Sequence, residues 1–417
     1  MTTRTGLRLR RLTWQVVLAS LAFLQIVATF FGLQERLYLA KWGAGSALIV
    51  CFFILGRYKL SSALAIEFGL LTTLIGIGFI SQLADNIDRR AIELGTSYSM
   101  TATAAFLVAP ATFRRRSVRT LVWPPFLFGV AVGTFLGMYL GLLNPAASLT
   151  VHEGRIRFFG LFSTPNSAGA AGLIGMVLAG AASRFSNRWS YLLFVPPFAL
   201  VMALADSRGS ILAGAVFVVA WLVAGLARLP RQRAVLLCSL GMAVILGMSI
   251  YYAWSHDLGS SQLSPTALNQ FSSGRWRNWS RSLSYLDSPY RLLFGLGLSR
   301  NFSFMPDVAV GSVAVRGSNA DNIYIDLLGR TGITGLGLFL AAVGMVVVRL
   351  MNGLRKRLPV SGPECALSLA AVMATLALGL TESGILTWGW VHAMVVWPLS
   401  ASTVVRVKQS AAPTALR

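Results

Sequence analysis

Residues 121–143 read LVWPPFLFGVAVGTFLGMYLGLL, a run without a single charge. About 20 apolar residues are enough for a helix to cross the hydrocarbon core of a bilayer, and a helix satisfies its own backbone N–H and C=O groups where no water can. Pro124 and Pro125 do not count against this reading, because membrane helices tolerate proline. Comparable runs lie on both sides of it. Toward the N-terminus they cover residues 13–33, 42–56, 61–83 and 96–112. Toward the C-terminus they cover residues 166–183, 189–205, 209–227, 234–254, 321–348, 364–380 and 384–405. The expected fold is therefore all-α: one polytopic membrane domain over residues 1–417 with twelve transmembrane helices.

The composition agrees. Hydrophobic residues make up 55% of the chain and charged residues 12%, with a mean hydropathy of +0.67; a soluble domain carries about twice that charged fraction. The net charge of +22 would suit a nucleic-acid partner. That class is excluded, because most of the basic residues fall in short loops between spans, where topology demands them. Cys51, Cys238 and Cys365 all lie in or beside expected spans, which favours apolar packing over a disulfide framework or metal cluster. The first apolar run is too long for a signal peptide and is followed by further spans, so it is read as retained.

Loop charge sets the orientation. With Arg4, Arg8, Arg10 and Arg11 in the cytoplasm, the inner loops hold Arg57 and Lys59, the run Arg114–Arg119, Arg184 and Arg188, Arg228–Arg233, and Arg349–Arg357. Both ends then face inward. The outer side has a medium loop, residues 144–165, and a long one between helices 9 and 10, residues 255–320. The long loop contains an expected surface helix at residues 275–286, with Trp276, Trp279, Leu283 and Leu286 at helical spacing for an interfacial position.

Four outer arginines stand out: Arg157, Arg208, Arg275 and Arg291. Arginine is costly at the membrane surface unless it meets a partner or a polar cavity. Its planar fork suits phosphate oxygens and does not lose its charge. The bland readings are pairing of Arg208 with Asp206 and snorkelling of Arg291 to headgroups. Asn166 is expected to cap the helix that follows it. Asp321 is the best-placed candidate base: it is expected to open a helix beside Asn322, where it is either a cap or a group that takes a proton from an acceptor hydroxyl. Asp326 lies one turn on and is expected to face the same way. Glu67 and Glu382 are read as packing or pairing residues. His392 is read as a hydrogen-bonded interior histidine, and no spacing points to a metal site.

Several short motifs occur in a particular order. They are Arg157-Phe-Phe-Gly160 with Pro165-Asn166; Ser207-Arg208-Gly209; Ser273-Gly274-Arg275 with Trp279; Pro289 followed by Phe294-Gly295-Leu296-Gly297; and Asn322-Ile-Tyr324 followed by Gly329, Gly332-Ile333 and Gly335-Leu336. Over residues 154–340 this set resembles the O-antigen ligase and polymerase family of bacterial integral-membrane glycosyltransferases. The resemblance implies an undecaprenyl-diphosphate-linked glycan as donor. It implies an acceptor that is another glycan chain, lipid A–core or a protein, and a site on the periplasmic face of the inner membrane. Arg157 and Arg275 would hold the diphosphate leaving group, Arg208 and Arg291 would support it, and Asn166, Asn322 and Tyr324 would line the substrate site. No metal or other cofactor would be needed. Membrane lipids, a chain-length regulator and a flippase would be further partners. Ligase members typically carry a histidine just before the Asn-x-Tyr-like segment; here that residue is Asp321, which favours a polysaccharide (O-antigen or exopolysaccharide) polymerase over a ligase.

The alternative of another class is a polytopic transporter. It predicts charged or broken helices near mid-membrane and paired repeats. The charge instead clusters at the outer surface, and no repeat is visible.

Overall fold

The computed structural model describes residues 4–30, 38–57, 60–62, 64–82, 89–113, 115–152, 155–162, 164–226, 275–298, 309–310, 313–314, 322–355, 362–382 and 391–411. In chain order the helices are α1 (Arg4–Phe30), α2 (Tyr38–Leu55), α3 (Ala65–Gln82), α4 (Arg89–Ala102), α5 (Ala109–Thr112), α6 (Arg116–Leu143), α7 (Pro145–Ser148), α8 (Pro165–Ser186), α9 (Val195–Leu204), α10 (Arg208–Leu226), α11 (Arg275–Ser284), α12 (Pro289–Phe294), α13 (Ile323–Arg355), α14 (Gly362–Gly379) and α15 (Val391–Ala411). A π-helical turn, Thr103–Val108, joins α4 to α5, and a 3-10 turn, Trp189–Phe194, leads into α9.

Six of these helices, α1, α3, α6, α8, α13 and α14, are long and apolar enough to cross a membrane. Gly43–Leu55, Trp189–Leu204, Arg208–Ala224 and Val395–Val405 are shorter apolar helices. The expected ninth span, residues 234–254, lies outside the described residues, as does Asp321. Helix is found among the described residues of each of the other expected positions.

Two features depart from the all-α expectation. Strands β1 (Leu149–His152) and β2 (Arg155–Phe158) form an antiparallel hairpin with Leu149 opposite Phe158 and Thr150 opposite Arg157. Its sequence alternates apolar and polar residues, the two-residue period of a strand, over too few positions to stand out between apolar helices. A smaller hairpin joins β3 (Ala309–Val310) to β4 (Val313–Ala314).

The bundle is organised around α8, 89% of which is buried, against 28% for the apolar window of α1. The sequence of α8, PNSAGAAGLIGMVLAGAASRFS, is rich in glycine and alanine, and small residues let helix backbones approach closely. A Cβ at Gly172 would lie 2.7 Å from the Phe198 carbonyl oxygen of α9. The α1–α6 crossing is closer still, because a Cβ at Gly129 would overlap the Ala19 carbonyl. Gly129→Val should therefore force the two helices apart. Overpacking of this kind costs about 1–3 kcal/mol, and the expected result is a lower thermal midpoint of the purified protein in detergent.

The ends of the bundle differ in chemistry. At one end Arg119 Nη1 donates to both carboxylate oxygens of Glu364, at 3.1 and 3.0 Å, and the guanidinium lies 5.1 Å from the centre of the Phe185 ring. Glu67, fully buried on α3, pairs with Arg349 of α13 at the same end. Arg119 and Arg349 were expected in loops; both lie inside helices that run further than the apolar runs alone indicate. At the other end sit the β1–β2 hairpin, the α9–α10 turn and the first turns of α13.

Candidate functional site

The polar end is assembled from turns. After α6, Ser148 accepts backbone N–H bonds from Phe159 at 2.9 Å and Gly160 at 3.2 Å, which folds the hairpin back on itself. Gly160 has φ +58, which favours glycine, and a Cβ at Gly141 of α6 would overlap the Gly160 Cα, so glycine is needed at both positions. The chain then enters α8. Thr164, not Asn166, is the cap: its side chain accepts from Ser167 N at 3.1 Å. Pro165 takes the first helical position, where its missing N–H costs nothing, and this moves the cap one residue upstream of it.

Asn166 is thereby released for another task. Its Oδ1 accepts from Arg157 Nη2 at 3.0 Å and lies 3.4 Å from Ser207 Oγ, which is 2.9 Å from Ser210 Oγ. Arg157 Nε also donates to the Ala205 carbonyl at 3.4 Å. Asp206 adopts a left-handed conformation, φ +43, which aspartate tolerates better than most residues, and this makes the α9–α10 link very tight. Arg208, half-buried, is the first residue of α10 directly after Ser207. Gly209 packs against Thr381 at the end of α14. Three separate motifs, Arg157 with its strand, Pro165-Asn166 and Ser207-Arg208-Gly209, thus meet at one end of the bundle.

The remaining candidates lie on a second group of elements. Arg275 is the first residue of α11, which packs on α13. The inward positions of α11 include Ser282, which is buried, while Leu283 is exposed. Ser288 caps α12, and Arg291 pairs with Asp287 at 2.8 Å with both side chains exposed. Asn322 is buried and caps α13, its Oδ1 accepting from Tyr324 N at 2.9 Å and Ile325 N at 3.1 Å. The helix was expected to open at Asp321; the capping oxygen belongs to its neighbour. The Tyr324 hydroxyl donates to the Leu376 carbonyl at 2.8 Å.

Asp326 points into the protein, where both carboxylate oxygens accept from Arg330 Nε at 3.0 Å. Arg330 was not among the sequence candidates. The available signal was its position four residues after an aspartate on an apolar helix, the spacing of an ion pair.

A family model described as O-Antigen ligase matches residues 192–340. Arg208, Arg275, Arg291, Asp321, Asn322 and Tyr324 lie within the matched segment, and Arg157 and Asn166 lie upstream of it. No curated protein matches the chain. Over residues 192–340, less than half of the chain, the protein is similar to the O-antigen ligase family, and this match supports membership of the O-antigen ligase and polymerase family and a glycosyltransferase-like role in a membrane.

Proposed function

We propose that the protein transfers an undecaprenyl-diphosphate-linked glycan to the growing end of another glycan chain, as a polysaccharide polymerase at the periplasmic face of the inner membrane. The observation that carries this reading is the meeting of Arg157, Asn166 and the Ser207–Arg208 turn at one end of the bundle. In the proposed reaction an acceptor hydroxyl attacks the anomeric carbon. The new glycosidic C–O bond forms as the bond to the diphosphate breaks, with inversion. The hydroxyl proton passes to a base, assigned to Asp321, and undecaprenyl diphosphate leaves as the anion. Arg157 and Arg275 neutralise that leaving charge, since a positioned guanidinium is worth most where charge develops in the transition state. Arg208 adds positive potential around it, whereas the charge of Arg291 is largely offset by Asp287. Asn166 orients Arg157, and Asn322 and Tyr324 order the helix that follows Asp321.

Ligation to lipid A–core or a protein is the second reading, favoured by the description of the matched family. Transport gains one apparent argument, because α13 is broken at Gly332. The carbonyls of Gly329 and Arg330 beside that break are taken by backbone N–H groups of residues 296 and 297, whereas a transporter's broken helix turns its free ends toward an ion or substrate.

The test is reconstitution of the purified protein with an undecaprenyl-diphosphate-linked repeat unit from the source organism, with products separated by size. A ladder of longer lipid-linked glycans is the expected result. Transfer only after lipid A–core or an acceptor protein is added would make the enzyme a ligase, and no transfer to any acceptor would overturn the reading. In the same assay Asn166→Ala should cut transfer by about 10-fold or more, the equivalent of losing one hydrogen bond to a charged group.

A further inference from the structure

The break in α13 is closed by a different part of the chain. Gly332 has φ +65 and ψ −170, which interrupts the helix after residue 331. In an unbroken helix the carbonyls of residues 329 and 330 would accept from residues 333 and 334. Here Leu296 N donates to Gly329 O at 2.9 Å and Gly297 N to Arg330 O at 3.0 Å. The contact is backbone against backbone: a Cβ at Gly295 would overlap Arg330, and one at Gly332 would overlap Leu293. From α3, Ser81 Oγ donates to Phe294 O at 2.7 Å.

The Arg330 side chain closes the same joint. Its Nε is held by both oxygens of Asp326, and its Nη1 donates to the Leu298 carbonyl. Both side chains are buried. A buried charge is tolerated only when paired and hydrogen-bonded, so the guanidinium has a strong preference for this one arrangement. The segment it fastens follows directly from α11, which begins at Arg275, and α12, which contains Arg291.

We propose that Arg330 is a positioning residue. It locks the turn at residues 295–298, and with it α11 and α12, onto the first turns of α13, so that the backbone of α11 and Arg291 on α12 stand in a fixed place relative to residues 322–324. The catalytic part of this proposal rests on the glycan-transfer reading above; the clamp itself does not. Lysine at this position keeps the charge but replaces a planar fork by a point donor, and it cannot meet Asp326 and the Leu298 carbonyl in the same geometry.

The test uses the full chain in nanodiscs, with Cys51, Cys238 and Cys365 replaced and spin labels at Leu283 and Leu380, both exposed. Dipolar spectroscopy should give one narrow distance distribution for the parent protein and a broadened or shifted one for Arg330→Lys. In the transfer assay Arg330→Lys should lose about 10- to 100-fold in kcat, the scale of a small misplacement of catalytic groups, with the donor KM little changed. A purely structural role would lower yield and thermal midpoint and leave kcat per folded molecule intact. If Arg330→Lys does not fold, Asp326→Asn carries the same two readouts. An unchanged distance distribution overturns the proposal, whatever the activity, and so does an unchanged kcat where the parent transfers glycan. A broadened distribution in a protein whose parent transfers nothing leaves the clamp standing and removes the transfer reading.

Discussion

Arg157→Ala is expected to lower kcat for glycan transfer by about 10²- to 10³-fold, the usual loss when one positioned stabiliser of transition-state charge is removed. The expectation follows from how the side chain is held. Arg157 lies on β2, opposite Thr150 in a hairpin whose register fixes its direction. Its guanidinium is then fixed from two further elements, by Asn166 Oδ1 of α8 at 3.0 Å and by the Ala205 carbonyl after α9 at 3.4 Å. A long cationic side chain fixed this way has already lost the freedom that would otherwise be lost at the moment of reaction. Arg157→Lys keeps the charge but not the fork, and should recover only part of the rate. The measurement is single-turnover transfer from the undecaprenyl-diphosphate donor, with the thermal midpoint of each variant alongside. A large fall in midpoint with unchanged kcat per folded molecule would reassign Arg157 to holding the hairpin against the α9–α10 turn.

Much of the fold was legible because membrane helices write themselves as long apolar runs, and the polar end was legible because its arginines interrupt that pattern. The features that were missed are those that periodicity does not encode. Asn166 reads locally as a cap, and only the proline at the first helical position, which moves the cap to Thr164, frees it for Arg157. The bond from Arg157 to Ala205 spans 48 residues of sequence, and no local pattern announces it. Gly332 sits in a glycine-rich run, and the break becomes intelligible only with residues 295–297 laid across it. Asp326 was singled out, but its partner Arg330 was not among the sequence candidates. Glu67 was read as a packing or pairing residue, and its pairing with Arg349 agrees with that. For Asp321 the sequence remains the source, since it falls just before the described start of α13.

Glu364→Ala should be the most destabilising of the single substitutions considered, by about 3–5 kcal/mol, because it strands a buried cation. Arg119 and Glu364 have side-chain exposures of 3% and 7%. The Phe185 ring at 5.1 Å offsets part of the loss, since a cation over an aromatic face gains about 0.5–2 kcal/mol. The comparison pair is Arg291 and Asp287, whose contact is shorter at 2.8 Å but whose exposures are 41% and 60%. Breaking that pair should cost about 0.2–1 kcal/mol, as for other exposed ion pairs. Burial, not distance, separates the two. The double replacement Arg119→Met with Glu364→Leu is the decisive control: it removes the stranded charge and should recover most of the stability lost in Glu364→Ala. Thermal denaturation of the three variants in nanodiscs checks the ordering. A double variant no more stable than the single would mean that the Arg119 side chain holds α6 to its neighbours by something other than its charge. The end of the bundle away from the candidate site would then be fastened by packing of the guanidinium on Phe185.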